Sequence, residues 1–485
     1  MSLAQAHLPL IAGTTRNAPG GAEPLLYMTQ AEIAALAPKL AGIDAASPLS
    51  RAQSSMRQTG QWRAGQQMGR RWAVGCVALE ITQRCNLDCT LCYLSESSEA
   101  LKDIPLAEVF RRIDMIAAHY GPNTDVQVTG GDPTLRRRDE LVAIVRRVRE
   151  RGMRPALFTN GILASRDLLT ELAAAGLVDV AFHVDMTQER KGYVSENELN
   201  AVRREYIERA RGLPLAVIFN TTVFDGNFRQ LPGLVEFFVA HCDVVKFASF
   251  QLQADTGRGV LAARGFEIGV ASVAGQIRVG ARAPLNFDAL STGHASCNRY
   301  ALALVAHGRA HDLLAEPAFV QGIAAELAQL QFDRAHPLRT LRALTTWVLR
   351  RPRVLLAGAG WIARLAWRMK ADLLRSRGRV HKLSLFIHNF MDACNLEHER
   401  IEACAFMVAT GDGPLSMCVH NAKRDTYLLK PVPIVAGGTL RFWNPVSGEF
   451  EGAMPRSVRV AHSRKTARGR AKVDLDAARA QAKAA

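Results

Sequence analysis

Three cysteines stand within eight residues in the run Thr82-Gln-Arg-Cys85-Asn-Leu-Asp-Cys89-Thr-Leu-Cys92-Tyr93. Thiolates at Cys-x3-Cys-x2-Cys spacing, on a loop that follows a predicted strand, can hold three irons of a [4Fe–4S] cluster and leave the fourth iron without a protein ligand. An open iron is what a chelating small molecule needs. Two other readings stand beside this one: a zinc site, which would want a fourth ligand near the three, and three unrelated buried thiols.

A second run, Thr129-Gly130-Gly131-Asp132-Pro133-Thr134, follows the next predicted strand. A Gly-Gly turn after a strand is weak evidence by itself. Polar residues also end the following strands: Thr159-Asn160-Gly161, then Asp185, then Asn220. Residues so placed either face a ligand or cap the next helix. Further along, Cys394, Cys404 and Cys418, with the distant Cys297, are candidate ligands of a second cluster, Cys404 and Cys418 being expected on facing strands of a hairpin. Cys76 and Cys242 lie inside strand-like or helical runs and read as core. Nine cysteines in 485 residues, without the pattern of a small secreted scaffold, do not read as a disulfide framework.

The elements that must carry these loops are legible over residues 76–250. Strand candidates at 76–82, 125–129, 154–159, 178–184, 215–221 and 243–250 alternate with helical patterns near 106–118, 138–151, 165–175, 198–211 and 229–241. Such alternation predicts parallel strands joined by crossovers. Six units predict a partial barrel rather than a closed eight-fold one, with the loops at the carboxyl ends of the strands carrying the chemistry. The expected organisation is an N-terminal extension (1–75), a barrel (76–255), a helical region (256–335), a basic segment (336–382), a small C-terminal α+β module (383–452) and a basic tail (453–485). Strands are expected at 384–390, 404–410 and 415–420.

The net charge of +16 belongs to two of these segments. Between His336 and Lys382 twelve Lys/Arg face a single acid, Asp372, and the tail from Ala453 carries nine against two, which leaves the rest of the chain near neutral. The first segment also holds Trp347, Trp361 and Trp367, half of the six tryptophans. On a helical wheel Ile362, Leu365, Met369 and Leu373 share one face, with Arg364, Arg368 and Arg375 roughly opposite. That is the composition of a helix lying in an anionic membrane interface, or of a helix packed on its own domain with a solvated basic face; nucleic acid is disfavoured, because Trp at an amphipathic boundary suits lipid better than base stacking. The N-terminus lacks the pattern of a secretory signal, and no window reaches the ~18 apolar residues of a spanning helix. The expected location is cytoplasmic, peripheral to the inner face of a membrane where the basic segment engages it.

Over residues 76–250 the chain resembles the radical SAM superfamily. The resemblance implies a partial (β/α)6 TIM-like barrel with a helical insertion and a small C-terminal α+β module. It also implies a [4Fe–4S] cluster on Cys85, Cys89 and Cys92 and S-adenosylmethionine (SAM) chelated to the open iron. Carried over residue by residue, Tyr93 takes the aromatic position near the adenine. Gly130, Gly131, Asp132 and Pro133 match the Gly-Gly-Glu-Pro segment that meets the SAM amino group, with Asp132 one methylene shorter than the usual Glu. Thr159, Asn160, Asp185 and Asn220 match strand-end SAM contacts. The C-terminal run His388 to Asn421 resembles the module of the tetraether lipid synthase and methanopterin-methylase-like group, though no paired Cys-x-x-Cys motif stands in residues 1–75. The implied reaction is reductive cleavage of SAM and hydrogen abstraction from an unactivated C–H bond of a lipid or other apolar substrate, with electrons from a reductase such as flavodoxin or ferredoxin. The alternatives are a radical SAM methylase or modifier of a soluble cofactor or peptide, and an inactive cluster-bearing adaptor for membrane or nucleic acid.

Overall fold

The computed structural model describes residues 27–38, 47–257, 268–328, 337–436 and 438–455, together with 330, 332, 334, 458 and 460. The expectations for the rest of the basic tail and for much of the N-terminal extension fall outside the described residues.

Apolar strand runs and amphipathic helices alternate through the barrel as expected. Strand β1 (Cys76–Thr82) is buried along its whole length, as a parallel strand covered on both faces should be. It is followed by β2 (Asp125–Gly130), β3 (Arg154–Thr159), β4 (Asp179–His183), β5 (Ala216–Val223) and β6 (Val245–Leu252), each pairing parallel to the one before. Two short helices precede them, α1 (Gln30–Ala35) and α2 (Pro48–Gln58). The crossovers are α3 (Leu106–Tyr120), α4 (Arg138–Glu150), α5 (Arg166–Ala174), α6 (Glu196–Ala210) and α7 (Leu231–Ala240). Their apolar faces meet the strands in one continuous core. Ile113 of α3, Val145 of α4 and Leu169 of α5 are wholly buried there with Leu79, Val128 and Leu157. Truncating one such Ile or Leu to Ala costs about 2–5 kcal/mol.

The C-terminal segment extends this sheet instead of standing apart. After α8 (Val270–Ala281) come β7 (Asn298–Ala306) and β8 (Arg309–Asp312), then α9 (Pro317–Leu327), α10 (Pro337–Leu349) and α11 (Pro352–Arg375). Strand β9 (His381–Asn389) then pairs parallel to β6, and β10 (Phe406–Thr410) pairs parallel to β1. Eight parallel strands therefore run from β10 through β1–β6 to β9. Among the described residues the seam between β9 and β10 carries no strand pairing and is bridged by side chains. His388 stacks on Phe390 at 3.9 Å and meets Phe406 edge-on at 4.2 Å. The remaining elements are α12 (His398–Glu402), β11 (Gly413–Ser416), α13 (Met417–Ala422), α14 (Arg424–Leu428) and a separate three-stranded sheet of β12 (Val432–Ala436), β13 (Thr439–Trp443) and β14 (Phe450–Glu451).

Three local expectations are corrected. The region 256–335, read as helical, contains the β7–β8 hairpin. Its short apolar run 300–306 fits strand and helix equally well by composition, and a two-residue turn with positive φ at both His307 and Gly308 decides for the hairpin. The strand expected at 415–420 stops at Ser416, where its pairing with β10 ends at Met407, and the chain turns into α13. On α11, Leu365, Met369 and Leu373 do not face lipid. They pack on Leu304, Ala306 and Leu313, and Trp361 stacks on Phe319 at 5.3 Å.

Candidate functional site

The cysteine loop leaves β1 in contact with the end of β2. Gly131 N–H donates to Thr82 O at 2.9 Å and Asp132 N–H to Arg84 O at 2.8 Å. The approach leaves no room for side chains. A Cβ on Gly130, whose φ is +137°, would lie 1.9 Å from Thr82 O, and one on Gly131 would lie 2.1 Å from Arg84 O. The glycine pair thus fixes the backbone just before Cys85, which explains its position without recourse to any ligand. Further along, Thr90 N–H donates to Thr187 O at 2.8 Å, so the middle of the loop is clasped to the turn after β4.

Cys85, Cys89 and Cys92 are half-buried and line one cavity at the carboxyl ends of the barrel strands. Leu87 N–H points at Cys85 Sγ (3.5 Å), and the Asn160 amide donates to Asn86 Oδ1 at 2.6 Å while lying 4.0 Å from the same sulfur. Among the described residues no three His, Cys, Asp or Glu side chains are grouped for a metal ion. The three thiols lie spread around a shared wall. Three soft sulfur donors facing one cavity, with amide donors beside the first of them, are what a multi-iron cluster requires of its protein, and in that sense the residues fit.

Of the SAM-contact expectations, Tyr93, Gly130, Gly131, Thr159, Asn160 and Asn220 line this same cavity. Asp132, Pro133 and Asp185 do not. Asp132 is wholly buried, and its carboxylate accepts from Thr134 N–H (3.0 Å), Thr159 Oγ1 (2.8 Å) and Asn160 N–H (2.8 Å), tying β2 to β3. Pro133 is buried as the first residue of the turn that Asp132 caps. Asp185, also wholly buried, accepts from Thr187 N–H (2.9 Å), Thr222 N–H (2.7 Å) and His183 Nε2 (2.7 Å). Both carboxylates position the wall from behind.

His183 takes the place expected of Asp185. It lines the cavity with its side chain about 31% exposed, held by the buried carboxylate. Burial alone would lower its pKa, but Asp185 raises it above the ordinary histidine value. The carboxyl of Asp185, which burial would raise, is brought down to about 2 by His183 and the surrounding donors. Gln127, Thr129, Thr222 and Gln251 are among the other polar residues of a mostly apolar wall. Their signal in the sequence is the alternation of Gln127 and Thr129 with the buried Val126 and Val128.

The C-terminal helices close the cavity. Glu80, on β1, lines it and accepts from Arg424 Nη1 at 2.7 and 2.9 Å and from Gln83 Nε2 at 2.8 Å. Burial would raise the Glu80 pKa; the Arg424 guanidinium and His420 hold it at about 2. The same guanidinium lies 4.8 Å over the Tyr93 ring, and Tyr93 Oη donates to Gly130 O at 2.5 Å. Met417 and Asn421 of α13, with Phe390 and Phe406, supply the remaining wall.

The second-cluster residues are not brought together in this way. None of Cys297, Cys394, Cys404 and Cys418 lines the cavity. Cys418 is buried on α13, and Met391 N–H points at its sulfur (3.5 Å); Cys404, just before β10, donates to Phe406 O (3.0 Å) and accepts from Ser416 Oγ (3.2 Å). Cys297 accepts from Arg400 Nε at 3.3 Å, and Cys394 is exposed. Burial pushes the Cys297 thiol up to about 11 and raises Cys404 and Cys418 as well. Cys418 interacts electrostatically with both Cys404 and Cys297, so these three thiols are neighbours outside the cavity. Cys76 and Cys242 are buried in the barrel, as expected.

Residues 79–238 match the Radical SAM superfamily. The 7,8-dihydro-6-hydroxymethylpterin dimethyltransferase of Methanocaldococcus jannaschii is 27% identical over 186 residues, 37% of this chain and 36% of that relative. The PqqA peptide cyclase of Bradyrhizobium diazoefficiens is 30% identical over 166 residues, 33% of this chain and 42% of the relative. A solved structure of Streptococcus suis SuiB bound to S-adenosylmethionine aligns with a TM-score of 0.32 at 14% identity, over 41% of this chain and 45% of that one. The chain thus spans less than half the length of the curated relatives it matches.

Proposed function

On the premise that residues 79–238 form a radical SAM domain, we propose that the protein reductively cleaves SAM and abstracts hydrogen from a C–H bond of a soluble cofactor-like or peptide substrate. The carrying observation is that Cys85, Cys89, Cys92, Gly130, Gly131, Thr159 and Asn160 line one cavity. Cys85, Cys89 and Cys92 would hold a [4Fe–4S] cluster, which would supply the electron for the cleavage. The chain's own residues set the stage for it. The glycine pair fixes the start of the cysteine loop, Tyr93 is oriented by Gly130 and Arg424, and the aromatic seam and α13 wall off the cavity. His183, steadied by Asp185, presents its imidazole to whatever enters.

The names of the relatives, a pterin dimethyltransferase and a peptide cyclase, support a soluble substrate. Gln127, His183, Gln251 and Asn421 offer a polar substrate hydrogen-bonding partners within a wall that is otherwise mostly apolar. A flavodoxin or ferredoxin as electron donor belongs to the same proposal. Anaerobically reconstituted protein with dithionite should convert SAM to 5′-deoxyadenosine, and Cys85→Ala should not. Equal turnover by that variant would remove the assignment. Untargeted mass spectrometry of small-molecule, peptide and lipid extracts from cells with and without the gene would separate the substrate classes.

A further inference from the structure

The basic segment has a use that the cavity does not absorb. Helices α10 and α11 form a hairpin held at the foot of the barrel, where the strands begin. Upstream of it, Phe332 O accepts from Asn123 Nδ2 at 3.3 Å and Arg334 Nη1 pairs with Asp125, the first residue of β2, at 2.7 Å. Downstream, α11 leads directly into His381, the first residue of β9. Cluster and SAM residues line the opposite end, at the carboxyl ends of the strands.

The inward face of α11 is accounted for by Leu365 and Met369, buried on the foot of β7. At 100° per residue, Leu356, Trp367 and Leu374 fall within about 20° of one another on the side facing away from that contact. They are 73%, 70% and 80% exposed. Leu338, Leu341 and Leu349 of α10 are likewise exposed. Three such side chains in line on one helix exceed the scattered apolar exposure of an ordinary surface. Cations border the line. Lys370 packs over the Trp367 ring at 3.5 Å, and Arg339, Arg342, Arg353 and Lys370 have no ion pair among the described residues, whereas Arg364 and Arg368 are held by Glu316.

We propose that the α10–α11 hairpin docks the protein on an anionic lipid surface, with Leu356, Trp367 and Leu374 entering the interface and the flanking cations meeting headgroups. The occupant follows from the pairing of features. Phosphate backbones of nucleic acid match the cations but leave the leucines in water, and a second copy of the same face would set cation against cation. Docking through the foot leaves the cavity at the far end of the barrel clear of the bilayer. The enzyme is therefore held at a membrane while its substrate arrives from solution. This membrane proposal stands independently of the chemistry proposed above.

The full chain is floated with vesicles of phosphatidylcholine alone, or with one part in three of phosphatidylglycerol, at about 0.1 M and about 1 M salt. The expected result is flotation with the anionic vesicles only, weakened by salt, with a blue shift of tryptophan emission. A Leu356→Gln, Trp367→Ser, Leu374→Gln variant should partition roughly ten-fold or more weakly. Removing Arg339, Arg342 and Arg353 should cost about five-fold per cation. Unchanged dichroism and unchanged 5′-deoxyadenosine formation by these variants would show that fold and chemistry survive the loss of docking. The proposal is overturned if the wild type stays with the pellet at low salt, if the apolar variant floats as well as the wild type, or if only RNA is bound. A dimer that the apolar variant dissociates, without vesicle binding, would overturn it equally.

Discussion

Glu80 and Arg424 are 344 residues apart in the chain and form a bidentate ion pair in the cavity wall, at 2.7 and 2.9 Å, both side chains almost fully buried. The pair joins the first barrel strand to α14. It also sets Tyr93, which lies between the guanidinium and Gly130 O. A strand core and a C-terminal helix pair thereby become one cavity.

Removing one partner leaves a buried charge uncompensated. Arg424→Met should destabilise the protein by about 3–5 kcal/mol, read as a fall in denaturation midpoint, while adding Glu80→Gln should recover much of the loss. The sign with pH follows from Glu80, whose pKa falls from 4.5 unfolded to about 2 folded. Its contribution, roughly 3 kcal/mol, is complete above about pH 4.5 and disappears as pH falls toward 2. In Arg424→Met that acid limb should flatten. A double variant no better than the single would refute the pairing.

Gly131→Ala should damage the cysteine loop far more than the fold. Its Cβ would press on Arg84 O, one residue from Cys85, so reconstituted iron content should drop several-fold with a stability cost of about 1–3 kcal/mol. Gly275→Ala, in the interior of α8 where a Cβ meets nothing within 4 Å, should be neutral or slightly stabilising. Full iron loading of Gly131→Ala would show that the loop does not depend on this contact.

His183 owes its raised pKa to Asp185, against a burial that lowers it. The stabilisation it gives is therefore complete below about pH 6.5 and lost as pH rises through the higher folded value. Imidazole NMR titration should place wild-type His183 above the ordinary range and Asp185→Asn below it. An unshifted titration in that variant would mean that another group carries the effect.

Iron analysis bears on the number of clusters. Wild-type protein should take up about four irons per chain, and the Cys85, Cys89, Cys92 triple Ala variant none, because only these three of the nine cysteines line the cavity. Four irons retained by the triple variant would restore the second cluster.

Much of the barrel was legible because a buried parallel strand and an amphipathic crossover helix each carry their own period. The six strands and five helices predicted between 76 and 250 fall within a few residues of those observed. Position 415–420 was misread because a short apolar run has no period to distinguish strand from helix, and the partner strand decides where it stops. Of the apolar stripe read on α11, Leu365, Met369 and Leu373 pack against the barrel while Ile362 is exposed, because a wheel does not say which side faces the barrel; Leu356 and Trp367 face outward.

By itself the sequence determined the cysteine triplet, the glycine pair and the strand ends that carry them, since spacing and local period fix what neighbours along the chain can do. Which carboxylates face the cavity, that His183 stands there with Asp185 behind it, and that α14 returns to pair with Glu80 were decided by the tertiary structure. Those relations depend on packing between segments hundreds of residues apart, where burial and charge pairing act across space and leave no periodic trace in either segment alone.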